Sequence, residues 1–498
     1  MKRFNKFLSI KLIQVILLFS LMIIAVLITA HFIIKSAEFQ AQYALNDKIQ
    51  NHLIAIRDTK KVQIESYFQR LFHQIKLYAH LKEITEAMRD FKEAFPKFKN
   101  ETQSATVFQL KERKLQQKKY RHVLAKYYNN EFVQAYNRLN IHCVPDMANL
   151  LNQLDNNSIA LQYHYVVAHP NSLNHKIELS TISDASSYTR LHYLYHNNIN
   201  ELKKIAKIEN IFLIDSDTGM IVYSVNKTLE FATSLIDGAY AKNGLGKTFK
   251  KATLATRDEV VLVDFSPYLP AYDNYKAFLG TPLFDDEKKI GVLVFQLAID
   301  NINEMMTDGK TWRVEKYGRT GETYLVAGDA TMRNDSRFLV EDKEDYLLSV
   351  SEIGLAHEIV STIDIKNTSV GLQTIDNPST TFSNIHGFDF YEDYHGEFVF
   401  SAYTSLDIPG LQWAIFSTLQ EEEALEPLEK FIHQIKSGAT HIVIIVLVIG
   451  LISILLILPS NTLVVTRAVG NTEISNHPTP ITKTYSLEQL IEHINKLK

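Results

Sequence analysis

Residues 241–248 read AKNGLGKT, and Gly246, Lys247 and Thr248 supply the second half of a phosphate-binding loop. That loop, G-x-x-x-x-G-K-[ST], cradles phosphate on successive backbone N–H groups, and needs a buried strand before it and a helix after it. Ala241 stands where the first glycine belongs, and the preceding EFATSLIDGAY is no continuous strand. Lys247, followed by TFKKA, reads as a solvated helix edge, so nucleotide chemistry is not expected here. His164, His169 and His175, with His192 and His196, raise a metal question. Their spacings of five, six and four do not build one ligating helix face, and no HExxH occurs. Packing is the expected role. Cys143 is the single cysteine, which excludes an intrachain disulfide and a cysteine-based zinc site. No G-x-S-x-G is present, and acid pairs such as Asp285–Asp286 fall in turns, where carboxylates are solvated. Neither an enzyme nor a cofactor is expected.

The elements that position these residues begin with two apolar runs. Leu12 to Ile34 holds 23 residues without an acid, Lys or Arg, and Ile442 to Leu458 holds 17 without any charge. Both fall within the roughly 17–25 residues that span a bilayer. The first run is too long for the core of a cleaved signal peptide and no A-x-A site follows it, so it reads as a retained anchor. Lys2, Arg3, Lys6 and Lys11 precede the first run, which places the N-terminus in the cytoplasm. The region between the spans is then extracytoplasmic, and the chain from Pro459 returns inside. AKNGLGKT falls on the outer side, where nucleoside triphosphates are not a normal supply. A chain of 498 residues has room for about three domains at ~150 residues each. With 22% charged residues and a net charge of −4, it has no basic excess for nucleic acid.

Between the spans the period of the pattern changes. Leu45, Ile49, Leu53 and Ile56, then Ile64, Phe68, Leu71, Ile75 and Tyr78, recur in steps that predict one long amphipathic helix to about Met88. That stripe is a candidate dimer seam or a face packed on its own domain. ERKLQQKKYRHVLAKYYNNEFVQAYNRL and VPDMANLLNQL continue the helical pattern, with the basic run as a wet face. From residue 210 strands take over: NIFLIDSDTGMIVYSV is a hairpin turning on Asp and Gly, and EVVLVDFSPY, YKAFLGTPLFD and KIGVLVFQLAI follow. GETYLVAGDATMR (strand, turn, strand), EFVFSAYTSL and LQWAIFSTL repeat the order. Two units of hairpin, helix and three-stranded meander make a tandem α+β architecture with antiparallel sheets.

These stretches, with QIESYFQRLFHQI, ALQYHYVVAHPN, GVLVFQLAIDNINEMM and LQWAIFSTLQEEEALEP, resemble the extracytoplasmic double-Cache sensor region of bacterial chemotaxis receptors, sensor histidine kinases and membrane nucleotide cyclases. The resemblance covers most of residues 60–430. It implies a long N-terminal helix carrying two PAS-like modules, of which the membrane-distal one binds a small ligand. In relatives the AKNGLGKT position is a turn and short helix after the hairpin. The expected layout is a cytoplasmic N-terminus (1–11), a first span (12–34), a helical region (36–205), a membrane-distal module (206–308), a membrane-proximal module (309–420), a connecting helix (421–440), a second span (441–459) and a short cytoplasmic tail (460–498). Such receptors continue into far longer output domains than the 40 residues after Leu458, so signalling through a separate transmitter is expected.

A curved PAS-like sheet can offer alternate residues of adjacent strands to a ligand. On that argument Tyr223, Ser224, Asp264, Phe265, Tyr268, Phe278 and Gln296 are the expected ligand-binding residues: an aromatic box with one carboxylate. In amino-acid-binding members of the family an Asp stands five residues after the glycine of the last strand of this module, and counting from Gly291 reaches Gln296. An amide does not offset a buried ammonium as a carboxylate does. An α-amino acid is therefore disfavoured unless Asp264 takes over. In the tail, Leu487, Leu490, Ile491, Ile494 and Leu497 share a helix face with Ser486 as N-cap, which fits pairing in a homodimer. The reading is a two-pass inner-membrane sensor of a small molecule, without its own output domain and with no nucleic-acid partner. A structural or assembly protein is the alternative, and an ectodomain hydrolase or NTPase is a more remote one.

Overall fold

Helix α1 (Lys2–Ala79) carries the first apolar run and the amphipathic stripe in one continuous element. The structure is a computed structural model and describes residues 2–102, 110–141, 145–168, 177–179, 181–375 and 385–457. Cys143, His169, His175 and the tail with Ser486 and Leu490 lie outside these. Contacts divide the chain into two units, Met1–Leu45 with Glu426–Lys498, and Asn46–Leu425. In the first unit the apolar runs of α1 and of α10 (Glu421–Ile457) stay uncovered: Leu18 is 73% exposed and Leu451 59%. Both helices are long and apolar enough to cross a membrane. Side chains of this kind left bare suit hydrocarbon and not water.

The second unit holds two antiparallel sheets. The first module comprises β1 (Asn210–Asp215), β2 (Ile221–Ser224), β3 (Val261–Tyr268), β4 (Asn274–Asp285) and β5 (Lys288–Leu297), in the order β2-β1-β5-β4-β3. The second comprises β6 (Glu322–Ala327), β7 (His386–Glu392), β8 (Phe398–Ser405) and β9 (Trp413–Gln420), in the order β6-β9-β8-β7. The β1–β2 hairpin closes as its sequence demands. Thr218 donates its hydroxyl to Asp215 (2.6 Å), and Gly219 takes the φ of +67° that a side chain resists. Helices α2 (Lys82–Ala94), α3 (Leu110–Tyr127), α4 (Val133–Leu139) and α5 (Ser187–Ile205) precede this sheet, and α6 (Gly244–Leu254) lies between β2 and β3. The sheet is covered on both faces, so every residue of β1 is buried. A Cβ on Gly291 would meet Met88 of α2 at 2.5 Å, and one on Gly280 would meet Thr248 of α6 at 2.6 Å. Gly280 pairs with Val294, three residues from Gly291, so these two helices sit on opposite faces.

Three expectations change. The long helix stops at Ala79, not near Met88, because Leu81 is extended (ψ 123°) and lets α2 turn. The turn brings Ile84, Ala87, Met88 and Phe91 into the core, where a straight continuation of α1 would carry them off. The second half of the stripe, from Ile64 to Tyr78, joins that same core, so packing on the chain's own domain accounts for that half. In the second module GETYLVAGDATMR forms one strand and not two. Met332 N–H bonds Gln373 instead of extending a ladder, which leaves only an isolated bridge to Val326. The meander gains β7, an exposed edge strand built from residues that the alternation left unassigned.

AKNGLGKT opens α6. Asn243 caps that helix by accepting from Gly246 N–H (3.0 Å), and the residues between Val225 and Asn243 form turns with one isolated bridge, without a strand. A Cβ on Gly246 would lie 2.4 Å from the Ala241 carbonyl oxygen, so this glycine answers a close backbone approach. Lys247 is exposed.

Candidate functional site

Tyr268, at the end of β3, and Gln296, on β5, converge on a cavity of about 430 Å3 in the first module. Lys203 reaches it from the last turn of α5, and Glu209 from the residue before β1. Asn226 and Thr228 come from the chain after β2, Lys276 from β4, and Phe132, Leu229 and Tyr272 supply apolar wall. The ladder places these groups: Gln296 faces Asn210 on one side and Phe278 on the other, and Glu209 N–H donates to the Gln296 carbonyl (2.9 Å).

Charge in the cavity is unequal. Lys276 Nζ lies 2.8 Å from Glu209 Oε1 and 2.7 Å from Oε2, which commits that pair to each other. Among the described residues Lys203 makes only a long contact to the Glu209 carbonyl (3.4 Å). Burial lowers the Lys203 pKa, Glu209 opposes the shift, and Lys204 adds to it. Among the described residues two ammonium groups therefore face one carboxylate. Behind Tyr268 sits Glu230, fully buried, accepting from the Thr228 hydroxyl at 2.5 Å. Burial pushes its pKa up to about 7 against the pull of that bond.

The seven residues expected at the site do not gather there. Tyr268 and Gln296 line the cavity. Tyr223 is fully buried, stacked on Phe91 (5.0 Å) and hydrogen-bonded to His196 Nδ1 (2.8 Å). Ser224 accepts from Asn210 Nδ2 (3.1 Å) and from Lys227 N–H (3.2 Å), closing the end of β2. Phe278 packs against the Tyr268 ring (5.0 Å) under Gly244. Asp264 and Phe265 turn to the second module. Arg333 pairs with Asp264 at 3.1 Å, Trp413 Nε1 donates to Asp264 at 3.1 Å, and the Phe265 ring stands 6.1 Å from Trp413. The cause is a register shift in β3 between Val263 and Ser266, which breaks the alternation on which the expectation rested. Asp264 therefore stands outside this cavity, whose carboxylate is Glu209. Alternation did not point to Glu209, which lies outside any strand and carries no periodic signal. Lys276 had such a signal, two residues from Phe278 on the same strand face.

The described histidines, His164, His192 and His196, pack against aromatic rings. His192 and His196 stack at 4.5 Å, and burial, with Lys227 adding to it, brings the His196 pKa down to about 3, so its ring is neutral. Among the described residues no three His, Cys, Asp or Glu side chains gather as metal ligands.

The family profile described as a Cache domain, dCache_1, matches residues 146–428. Solved structures that match part of the chain include the ligand-binding domain of the Pseudomonas aeruginosa PAO1 amino acid chemoreceptor PctB in complex with L-Gln (15% identity, 44% of this chain and 70% of that one, TM-score 0.28). The PctC domain of the same organism in complex with GABA (12%, 43% and 74%, 0.28) and the Pseudomonas fluorescens CtaA domain with L-isoleucine (12%, 45% and 73%, 0.25) are two others. No curated protein matches the chain. A profile match over more than half the length, on a chain that folds as two antiparallel sheets behind a long helix, decides the family: this chain belongs to the dCache_1 family of Cache domains.

Proposed function

We propose that this Cache protein is a membrane-anchored sensor of a small organic carboxylate, bound outside the cytoplasm in the first-module cavity. One observation carries the reading. The cavity presents Lys203 and Lys276 against a single carboxylate, Glu209, which Lys276 already engages. An anion there gains the ammonium of Lys203 and hydrogen bonds from the Gln296 and Asn226 side-chain amides. A cation would meet only a carboxylate already neutralised. The volume of about 430 Å3 fits a small molecule within the usual ~300–1,000 Å3 of such sites.

The route onward runs through the expected site residue that turned away. β3 carries both Tyr268, in the cavity wall, and Asp264, which holds Arg333 and Trp413 of the second module. The Trp413 ring in turn sits edge-on to Phe68 of α1 (5.6 Å). A ligand that moves β3 thereby moves a contact on the helix that carries the first membrane run.

The test is thermal unfolding of the full chain in nanodiscs with propionate, n-propylamine and glycine. Propionate at a hundred times its Kd should stabilise by ~2.7 kcal/mol, and Lys203→Gln should remove most of that gain. Stabilisation by n-propylamine alone, or an undiminished propionate effect in Lys203→Gln, would reject the carboxylate reading.

A further inference from the structure

A second cavity, of about 680 Å3, opens where the two modules meet. Its charges come from separate elements. Asp273 precedes β4, and Asp300 starts α7 (Asp300–Met306). Asp335 lies in the loop after β6, and Glu358 and Lys366 belong to α9 (His357–Lys366), the helix after α8 (Lys343–Glu352). Lys276 is the sixth charged group. Among the described residues four acids thus face two lysines; Lys366 feels the charge of Asp273, and both lysines are already engaged. Lys276 is engaged by Glu209 (2.7 Å), and Lys366 Nζ donates to the carbonyls of Tyr272 (3.1 Å) and Asp273 (2.9 Å).

The acids differ in how they are held. Asp335 is saturated, accepting from Thr368 (2.5 Å), Ser369 N–H (3.1 Å) and Asn303 (2.6 Å). Asp273 accepts from the Tyr136 hydroxyl (2.7 Å). Asp300 is exposed, and no hydrogen bond or ion pair among the described residues reaches its carboxylate. Burial raises the Asp335 pKa, and the negative charge of Asp300 raises it further, so the two carboxylates repel across the cavity. A positive group between them relieves that repulsion. Four asparagines and two threonines share the rest of the wall with apolar and aromatic groups such as Tyr275, Ile359 and Leu372, and among the described residues no three acids gather as metal ligands, which favours an organic cation over a bare metal ion.

We propose that this inter-module cavity is a second binding site, which takes a small organic amine as its ammonium ion with Asp300 as the receiving carboxylate. The test is titration calorimetry on the full chain in nanodiscs, with 1,4-diaminobutane as probe, 1,4-butanediol as its neutral counterpart and calcium chloride as a metal control. The diamine should bind and the diol should not. Asp300→Asn should weaken diamine binding about tenfold, the scale of one lost charge-assisted bond, while leaving the propionate response of the first cavity intact. Thr362→Trp, which fills the cavity from α9, should abolish diamine binding. The proposal is overturned if diamine and diol bind alike, if calcium binds in place of the diamine, or if Asp300→Asn and Thr362→Trp leave the diamine affinity unchanged. Because propionate is read in a separate assay, loss of the first-cavity reading is distinguishable from loss of this one.

Discussion

Removing the Asp264 carboxylate tests the junction that joins the two modules. Arg333 has a side chain only 3% exposed, and it is held by Asp264 at 3.1 Å and by Asp329 at 2.7 Å. Burial alone would lower the arginine's pKa; the two carboxylates outweigh it and hold the group above its ordinary value. Asp264→Ala leaves that guanidinium with one acid and the Trp413 indole N–H with no acceptor at that position. A charge-assisted hydrogen bond is worth ~1.5–3 kcal/mol, and breaking a fully buried pair costs ~3–5 kcal/mol. Asp264 is 30% exposed and Asp329 remains, so screening brings the expected loss down to about 2–3 kcal/mol. At roughly 1.4 kcal/mol per decade, local opening of β3 and of residues 331–334 becomes about thirty- to 150-fold more frequent. Hydrogen exchange of the full chain in nanodiscs reads this directly. Trp413→Phe keeps the ring against Phe68 but removes the N–H, so the two substitutions should be non-additive in a double-mutant cycle. A change in exchange below about threefold, or strict additivity, would refute the argument that one carboxylate serves both partners.

Two further outcomes follow from single groups. Glu230 has its pKa raised to about 7 from 4.5, so the folded protein holds a proton there that the unfolded chain releases. Its contribution to stability is complete below about 4.5 and is lost as pH rises through about 7, a loss of ~3 kcal/mol for this fully buried group. Glu230→Gln should therefore flatten the pH dependence of unfolding between pH 5 and 8; an unchanged slope would place the titrating group elsewhere. For topology, a reporter active only outside the cytoplasm should work when fused at residue 200 and fail at residue 470, since the lysine-rich flank precedes the first run. The reverse pattern would invert the sensor.

The sequence displayed its elements wherever period and turn chemistry agreed. The run NIFLIDSDTGMIVYSV contains both strands and their Asp–Gly turn, and the two apolar runs appear as bare helical faces. The helix break at His80–Leu81 was invisible, because no glycine, proline or cap residue marks it; packing of α2 on the first sheet imposes it. The lining of the candidate cavity is legible in part. Of the residues that alternation offered, Tyr268 and Gln296 line it, Lys276 shares the same strand-face signal, and the irregularity in β3 turns Asp264 and Phe265 to the second module. Lys203 and Glu209 reach the cavity through the helix end and the short connection into β1. Placement of that kind depends on how a helix packs on a sheet, which no local pattern records.

Asn274 and Lys276 line both cavities, and this shared wall has a thermodynamic consequence for the two proposals. Lys276 belongs to Glu209, with its side chain 12% exposed. A carboxylate in the first cavity offers Lys276 a second acceptor and draws its ammonium to that side. The inter-module cavity then faces its acids with one less cation nearby, and an amine there is held more strongly. By linkage the amine must strengthen the carboxylate by the same factor. Coupling energies between sites commonly amount to ~1–3 kcal/mol, or about five- to 150-fold, and a lysine already paired and partly screened puts this case at the low end, near fivefold. Titrating 1,4-diaminobutane with and without saturating propionate measures it. Lys276→Met removes the shared charge and should leave the two ligands independent. Coupling that survives Lys276→Met would show that backbone movement of β4, and not this ammonium, joins the two sites.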